Sequence, residues 1–172
     1  MIPKIRRILY ATDLSANSAY AFRYAMNSAV MHDAKIVILH VLEDMKGMGP
    51  AMLDGYLSEE DRKRIYDERI ADVTEQTRKR LEVLYEREKA FSTEAADRVE
   101  SIEIVGGYPA EEILRMADEL NCDVIIMGTH GKGIISHTFL GSVAERILRR
   151  VRKPVFIIPL PKGETDITFR DL

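Results

Sequence analysis

Cysteine is nearly absent from this sequence of 172 residues: Cys122 is the only one. One thiol excludes an intrachain disulfide and a cysteine-based zinc site, and it suits a reducing compartment. Long apolar runs are missing as well. No uninterrupted stretch approaches the roughly 18–20 apolar residues needed to cross a bilayer. The N-terminal Met1-Ile2-Pro3-Lys4-Ile5-Arg6-Arg7 leads into only four apolar residues, Ile8 to Ala11, whereas a secretory leader carries an apolar region of roughly 7–15. Neither a leader nor a membrane partner is expected, and the chain reads as cytoplasmic. Charge of one sign is also scarce. Lys and Arg number 25 against 28 Asp and Glu, a formal net charge of −3, which gives no basic field for nucleic acid.

What is present suffices for a core. Apolar residues make up 46% and charged residues 31%, the balance of a soluble globular chain, and the length suits a single domain over 1–172. Ile8-Leu9-Tyr10-Ala11 reads as a first strand ending in the polar Thr12-Asp13. Phe22, Ala25, Met26 and Ala29 follow helical spacing, with Ser15 placed as an N-cap. Ile36 to Val41 is rich in β-branched residues and reads as a second strand. Residues 43–98 then make an extended loop and a long helix. Residues 43–57 hold three Met, three Gly and one Pro without a period, hence a loop. From Ser58, with Asp61 completing a possible capping box, Ile70, Val73, Thr77, Leu81 and Leu84 mark one helical face. Glu60–Arg64 and Glu75–Lys79 are i,i+4 pairs, each contributing roughly 0.2–0.5 kcal/mol. The heavy charge of this helix is most simply a solvated face.

Val99 to Val105 alternates as a strand and ends at Gly106-Gly107. Pro109 opens the next helix, with Glu111 and Glu112 at its dipole-favoured end and Ile113, Leu114 and Ala117 following. Asp123 to Met127 is apolar on both faces, as inside a parallel sheet. Ala144, Ile147, Leu148 and Val151 give a last helix that Pro154 stops, and Val155-Phe156-Ile157-Ile158 makes a fifth strand. The order is β-α-β-α-β-α-β-α-β: an α/β fold with a parallel sheet and right-handed crossovers. Residues 162–172 form a polar C-terminal tail.

The chemistry points to the stretch between the fourth strand and the last helix. Gly128 leaves a strand, Gly131 follows after two residues, and Gly141-Ser142 opens a helix nine residues later. Glycines let a backbone approach a phosphate, and a helix start offers unpaired N–H groups. The dipole alone contributes roughly 0.3–1 kcal/mol, against about 8 kcal/mol for micromolar binding. Several charge-assisted hydrogen bonds, roughly 1.5–3 kcal/mol each, must therefore converge, and a loop over 128–142 is long enough to supply them. A Walker A loop is excluded because Lys132 precedes Gly133 rather than Ser or Thr. The dinucleotide fingerprint is excluded because Ser136 stands where its third glycine belongs. On spacing alone, these glycines fit turns as well as a phosphate loop.

Gly128-x2-Gly131-x9-Gly141-Ser142 resembles the ATP-binding pattern of the universal stress protein family, Gly-x2-Gly-x9-Gly-Ser/Thr. Ile8 to Ser15, His40-Val41, Gly107-Tyr108-Pro109-Ala110 and Lys153-Pro154-Val155 are similar to that family in the same order, over about residues 3–160. The resemblance implies a Rossmann-like, doubly wound, five-stranded parallel sheet in the order 3-2-1-4-5, with helices on both faces and ATP where the order reverses. It implies that Ala11, Thr12, Asp13 and Val41 line the adenine and ribose end. Met127, Gly128, Gly131, Gly141, Ser142 and Val143 would hold ribose and phosphates, and Mg or Mn would be carried through the phosphates. A carboxylate only accepts hydrogen bonds, so Asp13 suits the adenine amino group or a ribose hydroxyl; it also fits a strand-end turn. His130 is counted with the nucleotide set, although His130, Lys132 and His137 serve equally as solvated loop cations. His40 reads as satisfying a backbone group, Cys122 as a small core residue and Ser15 as a cap.

The function implied is an ATP-binding stress or signalling module with little or no intrinsic hydrolysis, no protein metal site and no assigned catalytic residue. The alternative is a slow ATPase or an autophosphorylating phosphotransferase. A receiver-type phosphorylation switch is rejected, since Asp13 stands alone and Gly106-Gly107 follows the third strand. The family pairs through its last strand, so a homodimer over Val155–Ile158 is expected, along with an unidentified protein partner. The Met-rich loop is a candidate for covering the nucleotide or for meeting that partner.

Overall fold

The computed structural model describes residues 2–43, 58–90, 93–95, 97–130 and 140–161. The Met-rich segment over 44–57, Gly131, Lys132, His137 and the tail over 162–172 therefore lie outside the described residues. The elements are β1 (Arg7–Ala11), α1 (Ala16–His32), β2 (Lys35–Leu42), α2 (Glu59–Lys89), a 3-10 turn (Thr93–Ala95), β3 (Val99–Gly106), α3 (Pro109–Glu119), β4 (Val124–Gly128), α4 (Ser142–Leu148) and β5 (Val155–Ile158). The five strands form one sheet in the order β3-β2-β1-β4-β5, every pair parallel. This is the doubly wound arrangement that the resemblance implies.

Alternation along β1 divides the core in two. Ile8 and Tyr10 face α1 and α2, where they meet Phe22, Met26, Leu81 and Leu84. Leu9 and Ala11 face the other way, onto Ile113, Ala117, Ala144 and Ile147 of α3 and α4. The Tyr10 and Phe22 rings stack at 4.8 Å between centroids. Full burial of a side chain such as Phe22 contributes roughly 1.5–3 kcal/mol, so α1 is held by its apolar face. Its N-cap is Ser15, whose side chain accepts the Ser18 N–H, and Asp33 ends it in the left-handed region. An ion pair to Arg98 holds Asp33 below the usual carboxylate range, the hydrogen bond being the main cause.

Helix α2 starts as expected, with the Ser58 hydroxyl receiving the Asp61 N–H. The box is not reciprocal: Ser58 Oγ donates to the Asp61 carboxylate at 2.7 Å. The Glu75–Lys79 pair forms at 3.4 Å, whereas Arg64 turns to Asp61 at 3.0 Å instead of to Glu60. Thr77, Leu81, Leu84 and Glu88 are buried. Glu88 is fully enclosed, and Arg23 Nε of α1 reaches its carboxylate at 2.6 Å, the partner that a buried charge requires.

The last helix is shorter than its apolar spacing suggests. It ends at Leu148, and the N–H groups of Arg150 and Val151 both return to the Ile147 carbonyl in a tightened turn. Val151 still packs on the α3/α4 side of the sheet, so its apolar character reflects burial beyond the helix. No described helix is long and apolar enough to cross a membrane.

Candidate functional site

The sheet reverses its winding at β1. Ala11 is paired with Leu39 of β2 on one side and with Met127 of β4 on the other. From neighbouring strand ends the chain then departs to opposite faces: α1 packs with the first core cluster and α4 with the second. A crevice at the carboxyl ends of β1 and β4 follows from that divergence.

Side chains close the turn from β1 to α1. Thr12 Oγ1 accepts the Leu14 N–H at 3.0 Å and meets Ser18 Oγ at 2.9 Å. The Thr12 N–H donates to Leu39 O at 2.9 Å, and its carbonyl faces His40 Nδ1 at 2.8 Å. Asp13 Oδ1 accepts the Ser15 N–H at 3.0 Å. Tyr10 donates its hydroxyl to Ser18 O at 2.6 Å, and burial pushes that phenol well above its ordinary range. Together these bonds hold Leu14 at φ 62°, a left-handed conformation that costs a non-glycine residue roughly 1–2 kcal/mol. The His40 and Ser15 expectations are met. Thr12, 7% exposed, spends its polar groups fastening the turn.

Backbone and glycine close the base of the segment from β4 to α4. The Thr129 N–H donates to Ile158 O at 3.1 Å, and the Gly141 N–H donates to Thr129 O at 2.8 Å, so residues 129 and 141 are pinned together. A Cβ on Gly141 would stand 2.8 Å from that same carbonyl oxygen. Its φ of −62° suits any residue; what demands glycine here is space. Gly128 is more constrained: a Cβ there would stand 2.1 Å from Asn17 Oδ1. The glycine of the motif's first position thus makes room for a side chain of α1.

Asn17 is the functional candidate that sequence reasoning missed. It is 7% exposed. Its Oδ1 accepts the His130 N–H at 3.1 Å and the Thr129 hydroxyl at 3.4 Å, while Nδ2 donates to Ile158 O at 3.3 Å. The only available signal was an amide two residues past the Ser15 cap, which is an ordinary first-turn residue when its partner, more than a hundred positions away, is unknown.

Ala11, Val41, Met127 and Val143 belong to one apolar cluster on the α3/α4 side, next to Leu140. Asp13 and His130 are half-buried beside it in the chain, Gly128 and Gly141 are buried, and Ser142 is exposed. His130 Nδ1 lies 2.8 Å from its neighbour Thr129 Oγ1. Gly131 lies outside the described residues. Cys122 is buried in the second cluster; desolvation pushes its thiol up to about 11, which suits a packing role rather than a nucleophile. Among the described residues no group of three or more His, Cys, Asp or Glu could hold a metal ion.

The chain matches the model of the universal stress protein family over residues 4–159. Universal stress protein MJ0577 of Methanocaldococcus jannaschii is 28% identical over 162 residues, covering 89% of this chain and 94% of that one. The solved structure of MJ0577 superposes with a TM-score of 0.67 at 25% identity, over 94% of this chain and all of that chain. Two other solved structures share the fold. One is a universal stress protein in complex with cAMP, with a TM-score of 0.59 and 23% identity, over 91% of this chain and 98% of that chain. The other, from Archaeoglobus fulgidus in complex with dAMP, has a TM-score of 0.52 and 19% identity, over 91% and 99%. A family match that spans nearly the whole described sheet, together with the strand order, has one meaning: this chain belongs to the universal stress protein family.

Proposed function

We propose that this protein binds ATP in the crevice between the β1 end and the loop after β4, and acts as a nucleotide-dependent stress or signalling module with little or no hydrolysis of its own. The supporting observation is the base of that loop. The spacing Gly128, Gly131, Gly141-Ser142 sits on a segment whose ends are tied through Thr129 O, directly beside the rigid β1 turn. In this reading Ala11 and Val41 pack against the adenine and Asp13 accepts from adenine or ribose. Met127, Gly128, His130, Gly131, Gly141, Ser142 and Val143 surround ribose and phosphates, with Mg or Mn carried on the phosphates. The cAMP and dAMP complexes belong to proteins whose likeness to this chain is in the fold; adenine is implied by the resemblance of this chain's glycine spacing to the family's ATP-binding pattern.

Turnover needs an oriented water and a cation on the leaving phosphate. Among the described residues, the ionisable side chains at the junction are held in place by bonds within the protein: Asp13 to the Ser15 N–H, His40 to the Thr12 carbonyl, His130 to the Thr129 hydroxyl. Side chains fixed in this way suit binding. The reading extends to a cytoplasmic homodimer joined through β5, whose edge leaves Phe156 39% exposed; an edge strand of this kind invites pairing. Light scattering at twice the chain mass is the expected outcome, and a monomer at all concentrations refutes the dimer.

Mass spectrometry of the denatured, freshly purified protein tests the nucleotide reading, followed by ATP, AMP and GTP titrations. Retained ATP or a micromolar ATP isotherm is expected, with GTP weaker by about tenfold or more, since one lost buried hydrogen bond can cost that much. Absence of both signals overturns the proposal. A steady hydrolysis rate above ~1 s⁻¹ from the pure protein overturns the binding-module part of it.

A further inference from the structure

Asn17 does more than fill space. Its carboxamide lies against the end of β4 and bonds the start of the loop and the end of β5 together. Its orientation is fixed by chemistry: the His130 N–H can only donate and the Ile158 carbonyl can only accept, so Oδ1 must face the loop and Nδ2 must face β5. Rotation by a half-turn would set donor against donor and acceptor against acceptor. The Thr129 N–H reaches the same Ile158 oxygen at 3.1 Å, so the peptide after Gly128 is gripped from both sides. The absent Cβ of Gly128 completes the fit, because any larger residue would strike Oδ1. The carboxamide itself is largely withdrawn from solvent, which suits a support for the loop better than a ligand contact.

From this we infer that Asn17 is a positioning residue: it sets the direction in which the chain leaves Gly128 and so places Thr129 and His130 beside the phosphates, without touching the nucleotide. The inference rests on the nucleotide reading above, and it assigns Asn17 to the phosphate side of the site alone. The hydrogen bonds of Asn17 run to Thr129, His130 and Ile158, beside the phosphate end of the site, while Ala11 and Val41 lie at the adenine end. Loss of Asn17 should therefore act on the phosphates and spare the base.

The test compares ATP with adenosine, each titrated into wild-type protein, Asn17→Ala and the near-isosteric Asn17→Asp, with circular dichroism confirming the fold. ATP affinity is expected to fall about tenfold in Asn17→Ala, as for the loss of about one net hydrogen bond's worth of alignment; adenosine affinity should stay within about twofold. Asn17→Asp keeps an acceptor for His130 but loses the donor to Ile158; its added negative charge also repels phosphates, so for this variant the deciding readout is hydrogen exchange without nucleotide. Equal losses for ATP and adenosine would make Asn17 merely structural and overturn the inference, as would no loss at all. Hydrogen exchange read on the unliganded protein separates this from failure of the nucleotide reading. Protection should drop at the His130 N–H in Asn17→Ala, and at the Thr129 N–H in Asn17→Asp, whose carboxylate repels the Ile158 carbonyl that Thr129 bonds to, while α1 and β1 stay protected. Unchanged protection refutes the positioning role whatever the nucleotide result, whereas wild-type protein that binds neither ligand refutes the nucleotide reading and the phosphate role with it.

Discussion

Two turns meet at the carboxyl end of this sheet, and they are built in opposite ways. From β1 to α1 the chain needs only four residues, 12 to 15, and side chains hold nearly every step: Thr12 on Leu14, Asp13 and Ser15 on the N–H groups that follow, Ser18 back onto Thr12. From β4 to α4 it spans residues 129 to 141. The helix there starts on a glycine with no side-chain cap, and the described closure is one backbone bond from Gly141 to Thr129. The first turn has its donors consumed from within. The second brings its ends together with glycine and backbone. On the nucleotide reading, that difference sets a turn closed by its own side chains beside a segment whose described ends are held by backbone and glycine.

Among the described residues the two constructions meet where Asn17, in the first turn of α1, packs against Gly128 at the start of the second. The largest expected effect breaks that link. Gly128→Ala would drive a methyl to 2.1 Å from Asn17 Oδ1, and the amide can withdraw only by releasing His130 and Ile158. Overpacking of this kind costs about 3 kcal/mol. Asn17→Ala alone should cost about 1–2 kcal/mol, because it strands the half-buried His130 N–H while the Ile158 carbonyl keeps the Thr129 N–H. In the double variant the methyl occupies space that the amide has vacated, and the nearest atom that remains is the residue 17 backbone carbon at 3.3 Å. Urea denaturation should show the double variant less destabilised than the sum by at least about 1 kcal/mol. Strict additivity would mean that Gly128 is glycine for a reason unconnected with Asn17.

The same contrast explains what could be read in the sequence. The strands were legible because each is a short apolar run between polar breaks, and burial on both faces leaves such runs unmistakable, as in Ile36 to Leu39 or Val124 to Met127. The β1 turn was legible in part because its caps act within three residues: Ser15 on Ser18 is local chemistry. The loop was recognisable only by the spacing of its glycines. The reasons for Gly128 and Gly141 differ, one being a side chain of α1 and the other a carbonyl across the loop's mouth, and neither partner can be inferred from the residues adjoining the glycine. Helix α4 was overestimated for a related reason. Val151 keeps the apolar period because it packs on the second cluster after the helix has ended.

A matched pair of serines gives the smallest and most discriminating test. Ser15 is the residue before α1 and Ser142 is the first residue of α4, yet they should behave differently when trimmed. Ser15→Ala removes the acceptor for the Ser18 N–H and should cost about 1 kcal/mol, the usual worth of an N-cap. Ser142 is exposed, and it follows a glycine N-cap that makes no side-chain bond, so Ser142→Ala should leave stability within about 0.5 kcal/mol of wild type. ATP affinity should reverse the ranking: Ser142→Ala weakens it through a lost hydroxyl, while Ser15→Ala leaves it nearly unchanged if the remaining bonds keep the turn in place. The reversal matters more than either value, because a general loosening of the fold would move stability and affinity together at both positions. If Ser142→Ala instead destabilises the protein as much as Ser15→Ala, the loop is fastened by its own side chains like the first turn, and the contrast between the two turns is lost.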